Sequence, residues 1–425
     1  MSAKQLKSTR LFIFSSALGT YLEFLDYTLF AYASKIIAFK LLPPSDYALV
    51  YTWLIFAAGF FFRVLGTVVF GALGDRNGGK TALLWSMLLM ASSTTAIGLI
   101  PDYSDAAWLA PCLLLFLRSL QSFAVSPEYS GAATYLSKLE LLRDRYSFTT
   151  SITVAVAGFG MLSGGYWMSA MVQGFSIEEL PSWRWRLPFV LSGLVVGLAA
   201  TLIRISMHDD KGEKALEEGV LEPVRLLWKH QAHESLRCVG MVGLIGLMTY
   251  TLNGYFANFL HQERSYELGL ALALTSKHTL VLCLAILVSG YLADKWAPNT
   301  ILRGTAFLII LLSWPIFYLI NHGSQTQVSI GLMLFSILLG LFSGPLPGVL
   351  AKTFAHEYRY TGSSLAYNVG MSIFGGFTPV LMLTLGKFNP FAPGALIIAY
   401  AAFVMLFLTV KIPENYSASE LVKEH

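Results

Sequence analysis

Apolar stretches long enough to cross a lipid bilayer recur along the whole chain, and no other feature restricts the possible folds as strongly. A hydrocarbon core of about 30 Å takes about 20 residues of α-helix. Twelve stretches of that size are separated by charged or Pro/Gly-rich punctuation, over residues 11–39, 47–74, 80–100, 107–137, 147–173, 185–206, 233–261, 266–294, 299–321, 327–354, 360–387 and 389–411. In lipid every backbone N–H and C=O must be satisfied within the segment, so runs of this length read as helices. The expected fold is all-α and integral to the membrane, with twelve transmembrane helices in two pseudo-symmetric six-helix bundles. With 55% apolar and only 13% charged residues, the composition disfavours a soluble enzyme, a disordered scaffold or a nucleic-acid-binding domain. Lys4, Lys7 and Arg10 before the first run imitate a signal peptide. That run is too long for a signal h-region and holds Glu23 and Asp26, so it reads as the first span.

One long polar segment, residues 207–232, divides the chain into an N-terminal bundle (1–206) and a C-terminal bundle with a short tail (233–425). An even number of spans puts both termini on one side. Most of the basic residues fall on that side, including Lys4, Lys7, Arg10, Arg76, Lys80, Arg143, Arg145, Arg204 and Arg303. Lys and Arg accumulate in cytoplasmic loops, so the termini and the central segment are expected in the cytoplasm of a multi-pass protein of a cell membrane, the bacterial inner membrane fitting best.

The two halves carry a repeated turn. Gly71-Ala72-Leu73-Gly74-Asp75-Arg76 closes the second span, and Gly290-Tyr291-Leu292-Ala293-Asp294-Lys295 closes the eighth. Parallel duplication of a six-helix unit places a substrate site near the bilayer midplane, between halves that rock around it.

Together with twelve spans and a central segment, these paired turns resemble the major facilitator superfamily. Shorter segments are similar to its metabolite:proton symporter branch, which carries organic acids and betaine: Glu23-Phe24-Leu25-Asp26-Tyr27 in span 1, the run from Arg63 to Gly71 in span 2, Arg118-Ser119-Leu120-Gln121 followed by Glu128 in span 4, and Arg359 to Pro379. The resemblance implies that spans 1 and 4 line a central cavity, and that the turn with Asp75, Arg76 and Lys80 holds the cytoplasmic side closed. Asp294, Glu357 and Arg359 are the matching gate candidates. Gly344-Pro345-Leu346-Pro347-Gly348 interrupts span 10 and offers a hinge.

A charge at mid-bilayer costs at least about 2.5–3.5 kcal/mol on insertion scales and needs a partner, a water-filled cavity or a function. Helical rise puts Asp26, Arg63, Arg118 and Lys277 at one depth, roughly 16–18 Å inside their spans. Glu23 and Asp26 share a face at i, i+3, and Arg118, Gln121, Val125 and Glu128 form another stripe. A carboxyl in low dielectric favours its neutral form and can carry a proton. This makes Asp26 the leading proton-coupling candidate, joined by Glu23, Glu128 and His278; the competing expectation for Asp26 is a permanent ion pair with Arg118. Arg63, Arg118 and Lys277 suggest an anionic substrate, since a guanidinium fork matches a carboxylate. Gln121, Asn253, Tyr367 and Asn368 are neutral substrate-binding candidates that could equally tie helices together. Snorkelling or carbonyl bonding is open for Arg63, and an acidic partner is open for Lys277.

No nucleophile with an oriented base, Walker sequence, metal cluster or cysteine framework is recognisable, so neither an enzyme nor a cofactor is expected. The expected function is proton-coupled import of a mono-, di- or tricarboxylate by alternating access. The expected partners are the anion, protons and the bilayer, without nucleic acid, and the chain is expected to act as a monomer. Open alternatives are a zwitterion such as an amino acid or betaine, efflux of a polyanionic chelator, and a transporter-shaped receptor.

Overall fold

The computed structural model describes the backbone of residues 3–77, 79–125, 145–198, 201–202, 222–354 and 359–409. The twelve expected spans each have a helical counterpart. They are α1 (Ala3–Leu41), α2 (Ala48–Asn77), α3 (Gly79–Ile97), α4 (Leu109–Val125), α5 (Tyr146–Val172) and α6 (Ser182–Leu191, continuing as a π-helical turn Ser192–Val196). In the second half they are α7 (Glu222–Tyr250, a π turn Thr251–Tyr255, then Phe256–Gln262), α8 (Leu268–Lys295), α9 (Pro298–His322), α10 (Gln325–Ser343 and Leu346–Thr353), α11 (Arg359–Gly370, a π turn Met371–Gly375, then Thr378–Phe388) and α12 (Ala392–Thr409). Seven of them are long and apolar enough to cross a membrane by length and composition, and α3, α4 and α12 contain shorter apolar helices.

The breaks have local causes. Pro345 and Pro347 interrupt α10 because proline has no N–H to give and clashes with the preceding turn. In α7 the amide of Asn253 donates to Thr249 O (3.0 Å) and that of Asn258 to Gly254 O (2.7 Å), which satisfies carbonyls around the widened turn. α7 begins at Glu222, inside the polar segment expected at 207–232, and turns at Gln231, whose backbone is not helical (φ −133°, ψ 34°).

The helix pairings repeat between the halves. α1 packs on α5 as α7 packs on α11; α2 on α4 as α8 on α10; α3 on α4 as α9 on α10; α3 on α6 as α9 on α12. Two seams join the halves, α5 with α8 and α2 with α11.

The α5–α8 seam is built from small residues seven apart on antiparallel helices. Gly165 faces Ser276, Gly158 faces Cys283 and Ser151 faces Gly290, while Gly269 lies against Gln173. Sevenfold spacing keeps one stripe turned to the partner along the whole contact. A Cβ on Gly158 would meet the Cys283 sulfur, and one on Gly165 would meet the Ser276 hydroxyl and the Tyr32 ring.

Candidate functional site

Asp26 and Arg118 meet in the N-terminal half, in a network of α1, α3 and α4. Arg118 Nη1 donates to Asp26 Oδ2 at 2.8 Å and also to Gln121 Oε1. Thr94 Oγ1 donates to Asp26 Oδ1 (3.2 Å) and accepts from Gln121 Nε2 (2.7 Å). All four side chains are buried. The Arg118 guanidinium also lies over the rings of Tyr27, Phe30 and Phe56, at 4.9, 4.5 and 4.8 Å from their centroids. Its Nε and Nη2 are buried and have no hydrogen-bond partner among the described residues. Buried donors normally have partners, and the cost of leaving one unmade is about 1–3 kcal/mol, more for charged groups.

Glu23 and Arg63 form a second buried pair, with Arg63 Nη2 2.9 Å from Glu23 Oε1. Arg63 Nη1 donates to the Tyr27 hydroxyl at 2.8 Å and Nε donates to Asn368 Oδ1. Asn368 Nδ2 in turn donates to Thr67 Oγ1 (3.0 Å), and the Arg63 guanidinium lies 5.5 Å from the Tyr367 ring centroid. This second group therefore spans the α2–α11 seam, whereas the Asp26 network stays inside one half. Tyr27 stands between them, and its ring also packs against Phe56, Phe60 and Tyr250.

A narrow cavity lies beside these groups, between the halves. Phe24, Met161, Thr249, Ile286, Ser343 and Tyr367 are among its lining residues, and none of the four paired charges lines it. The halves touch on both sides of it. On one side Tyr32 donates to Thr275 Oγ1 (2.8 Å), and Asn253 accepts from Tyr32 at 3.5 Å. On the other, Asp294 accepts from the backbone N–H groups of Ser147 (2.7 Å) and Phe148 (2.9 Å), capping the start of α5 from the opposite half. An anion at a helix N-terminus satisfies donors that have no intrahelical partner and complements the helix dipole.

Lys277 departs from the sequence reading. Its side chain is exposed on the outer face of α8, in line with Leu270, Leu280 and Leu284, and takes no part in the charged group. Its neighbour His278 bonds Ser329 on α10 at 2.9 Å. His278 is buried in that helix contact, with its Nε2 against the Ser329 hydroxyl. Asn253 belongs to the tie with Tyr32, and Gln121 to the Asp26 network. Glu128 and Glu357, and the side chains of Asp75, Arg76, Lys80 and Arg359, lie outside the described residues. Sequence reasoning missed Thr94 and the ring of aromatics around Arg118. The polar run Ser92-Ser93-Thr94-Thr95 inside an apolar span was the available signal for the first.

Residues 16–379 match the family model described as the Major Facilitator Superfamily. The chain is 26% identical over 392 residues to the proline/betaine transporter of Salmonella typhimurium, covering 87% of this chain and 76% of that one. It is 27% identical over 424 residues to the citrate-proton symporter of Salmonella typhi, covering 95% and 94%. Among solved structures, the xylose transporter of E. coli in a partially occluded inward-open conformation superposes with a TM-score of 0.74 at 12% identity, covering 95% of this chain and 99% of that one, which speaks to the fold alone. The repeated helix pairings, the breaks in α7, α10 and α11 and the match over most of the sequence lead to one assignment: this chain belongs to the Major Facilitator Superfamily of secondary transporters.

Proposed function

We propose that the protein imports a small carboxylate-bearing metabolite together with a proton, by alternating access, with the substrate carboxylate bound at Arg118. The observation carrying this reading is the pair of unpartnered buried nitrogens on Arg118, next to a carboxylate that already occupies Nη1. A proton on Asp26 removes the negative partner of Arg118 and leaves one net positive charge among Glu23, Asp26, Arg63 and Arg118. A substrate carboxylate restores neutrality and matches the guanidinium fork. Proton and carboxylate thus favour each other's binding, which is the coupling a symporter needs.

The organic-anion reading, extending to di- and tricarboxylates, is the first form of this proposal. A zwitterion is the second, favoured by one observation: with Lys277 on the outer face, the two acids balance the two arginines. A dipolar solute adds no net charge, and the rings of Tyr27, Phe56, Phe60 and Tyr250 suit its cationic end. The relatives named for proline, betaine and citrate all carry solutes with a carboxylate, which is the chemistry this proposal retains.

Gating in this proposal is a rocking of residues 1–206 against residues 233–425, with 207–232 between them. Asp294 holds one side shut through the α5 cap, and Asp75, Arg76, Lys80, Glu357 and Arg359 form the pseudo-equivalent lock. In this proposal that lock and the termini face the cytoplasm, a reading that the excess of Lys and Arg on their side supports, the membrane is a bacterial inner membrane, and the working unit is the monomer.

Uptake by purified protein in proteoliposomes tests the proposal, with labelled lactate, succinate, citrate, proline and betaine as the panel. Since 1.4 kcal/mol is tenfold in a concentration ratio, one proton per electroneutral load lets a gradient of one pH unit concentrate a monoanion about tenfold. An imposed membrane potential separates the two forms, because a proton with a monoanion carries no net charge and a proton with a zwitterion carries one. Accumulation indifferent to the pH gradient for every solute sinks the symport reading.

A further inference from the structure

The two buried ion pairs look alike in sequence but sit differently in the molecule. Among the described residues, Asp26 and Arg118 draw their hydrogen-bond partners from α1, α3 and α4, within one half. Arg63 instead reaches across the α2–α11 seam to Asn368, which also bonds Thr67 on the near side. Two further contacts follow the same seam: Ser372 Oγ donates to the Phe60 carbonyl at 2.9 Å, and Gly376 lies against the Phe60 ring. The other seam is packed from short side chains and has polar contacts of its own, Ser169 Oγ donating to the Gly269 carbonyl (2.8 Å) and Asp294 capping α5, but the buried arginine that crosses between the halves is Arg63 at α2–α11. Polar contacts across a seam are lost in a single step when it opens, because a hydrogen bond weakens steeply with distance and angle.

We infer that Arg63, Glu23 and Asn368 form a latch between the halves, in which Arg63 is a positioning residue that holds the α2–α11 seam closed and does not itself grip the substrate. Glu23 fixes the guanidinium from α1, the Tyr27 hydroxyl fixes it from the same helix one turn on, and Nε is left to cross the seam. Both of the arginine's anchors in the N-terminal half lie on the helix that carries Asp26. A movement of α1 when Asp26 exchanges its proton therefore reaches the latch directly, and Tyr27, stacked beside both guanidinium groups, is the link. This latch rests on the alternating-access reading, and it explains why Asn368 and Tyr367 are turned to Arg63.

The test reads the seam without needing the substrate. In a Cys112→Ser background, Ser364→Cys places a thiol on α11 one turn before Asn368, at a position that is 1% exposed. Inside-out membrane vesicles are treated with a charged methanethiosulfonate and the labelling rate is followed. Asn368→Leu removes the crossing bond and is expected to raise the rate about tenfold, the factor that 1.4 kcal/mol of lost closure produces. The double variant Glu23→Gln with Asn368→Asp keeps the net charge and moves the carboxylate partner of Arg63 to the opposite half. A latch predicts slower labelling than the parent in this variant, whereas a residue that only fills space predicts loosening in both. Equal rates in parent and Asn368→Leu, or faster labelling in the double variant, overturn the inference. Asn368→Ser replaces Asn368→Leu if the latter is not recovered as a monodisperse protein. The labelling arms stand whichever solute moves, so loss of pH-driven uptake across the panel counts against the symport reading and leaves the latch result intact.

Discussion

Asp26 and Arg118 make the sharpest residue-level demands. Removing one partner of a buried pair leaves an uncompensated charge, costing about 3–5 kcal/mol. Arg118→Ala is therefore expected both to lose carboxylate binding and to lower the thermal midpoint in detergent. Asp26→Asn keeps an acceptor oxygen for Arg118, turns a donor NH2 towards the Thr94 hydroxyl in place of the second carboxylate oxygen, and removes the titration. It should bind and exchange solute down a gradient but not concentrate it, and pH-driven accumulation by this variant would remove Asp26 from the proton pathway. Tyr27→Phe deletes the hydroxyl that accepts from Arg63 Nη1. A hydrogen bond to a charged group is worth about 1.5–3 kcal/mol, so a loss of that size in unfolding stability is expected while solute binding persists. What the sequence reveals at this scale is depth, because 1.5 Å per residue locates a charge along a helix. Direction is less legible. Lys277 and Asp26 are both ionisable residues inside apolar runs, and only packing turns one to the exterior and the other to the interior. The pairing of Glu23 with Arg63 was hidden for the same reason, as it depends on how α1 and α2 rotate against each other.

At the scale of single elements, the twelve spans are legible because the bilayer forces each one to satisfy its own backbone, and the proline-bearing break in α10 is legible because proline cannot continue the ladder. The start of α7 at Glu222 is not, since a polar helix outside the membrane carries no hydropathy signal. Helix contacts supply a prediction that separates soft from hard crowding. A Cβ on Gly158 meets only the Cys283 side chain, whereas one on Gly160 meets the Tyr21 carbonyl oxygen and the Leu25 backbone nitrogen. Overpacking costs about 1–3 kcal/mol. Gly158→Ala should show such a loss and recover most of it when combined with Cys283→Ala. Gly160→Ala should show a loss that trimming the side chains of Tyr21 or Leu25 does not repair, because backbone atoms block it. Thermal unfolding of the single and double variants checks both, and full recovery of Gly160→Ala by a side-chain change would show the packing to be softer than described.

Across the whole molecule, two unlike seams connect two like halves. The duplication is visible in the repeated turns ending in Asp75-Arg76 and Asp294-Lys295, but the seams are not, since their small residues are spread over helices far apart in sequence. Gly158 and Cys283 also provide a chemical ruler: Gly158→Cys places a second thiol against the native one, within the short Cβ separation a disulfide requires. Its oxidation should proceed without denaturant, and transport by the cross-linked protein then reports whether this edge separates during the cycle. The heptad stripe on α5 and α8 has a mechanical corollary. Its knobs are so short, and its register so closely set, that the next equivalent fit along the axis lies a full seven residues away, about 10 Å. An elevator-like stroke, in which one half pistons past the other, would have to abandon every one of those fits at once, which argues for the tilting motion proposed above.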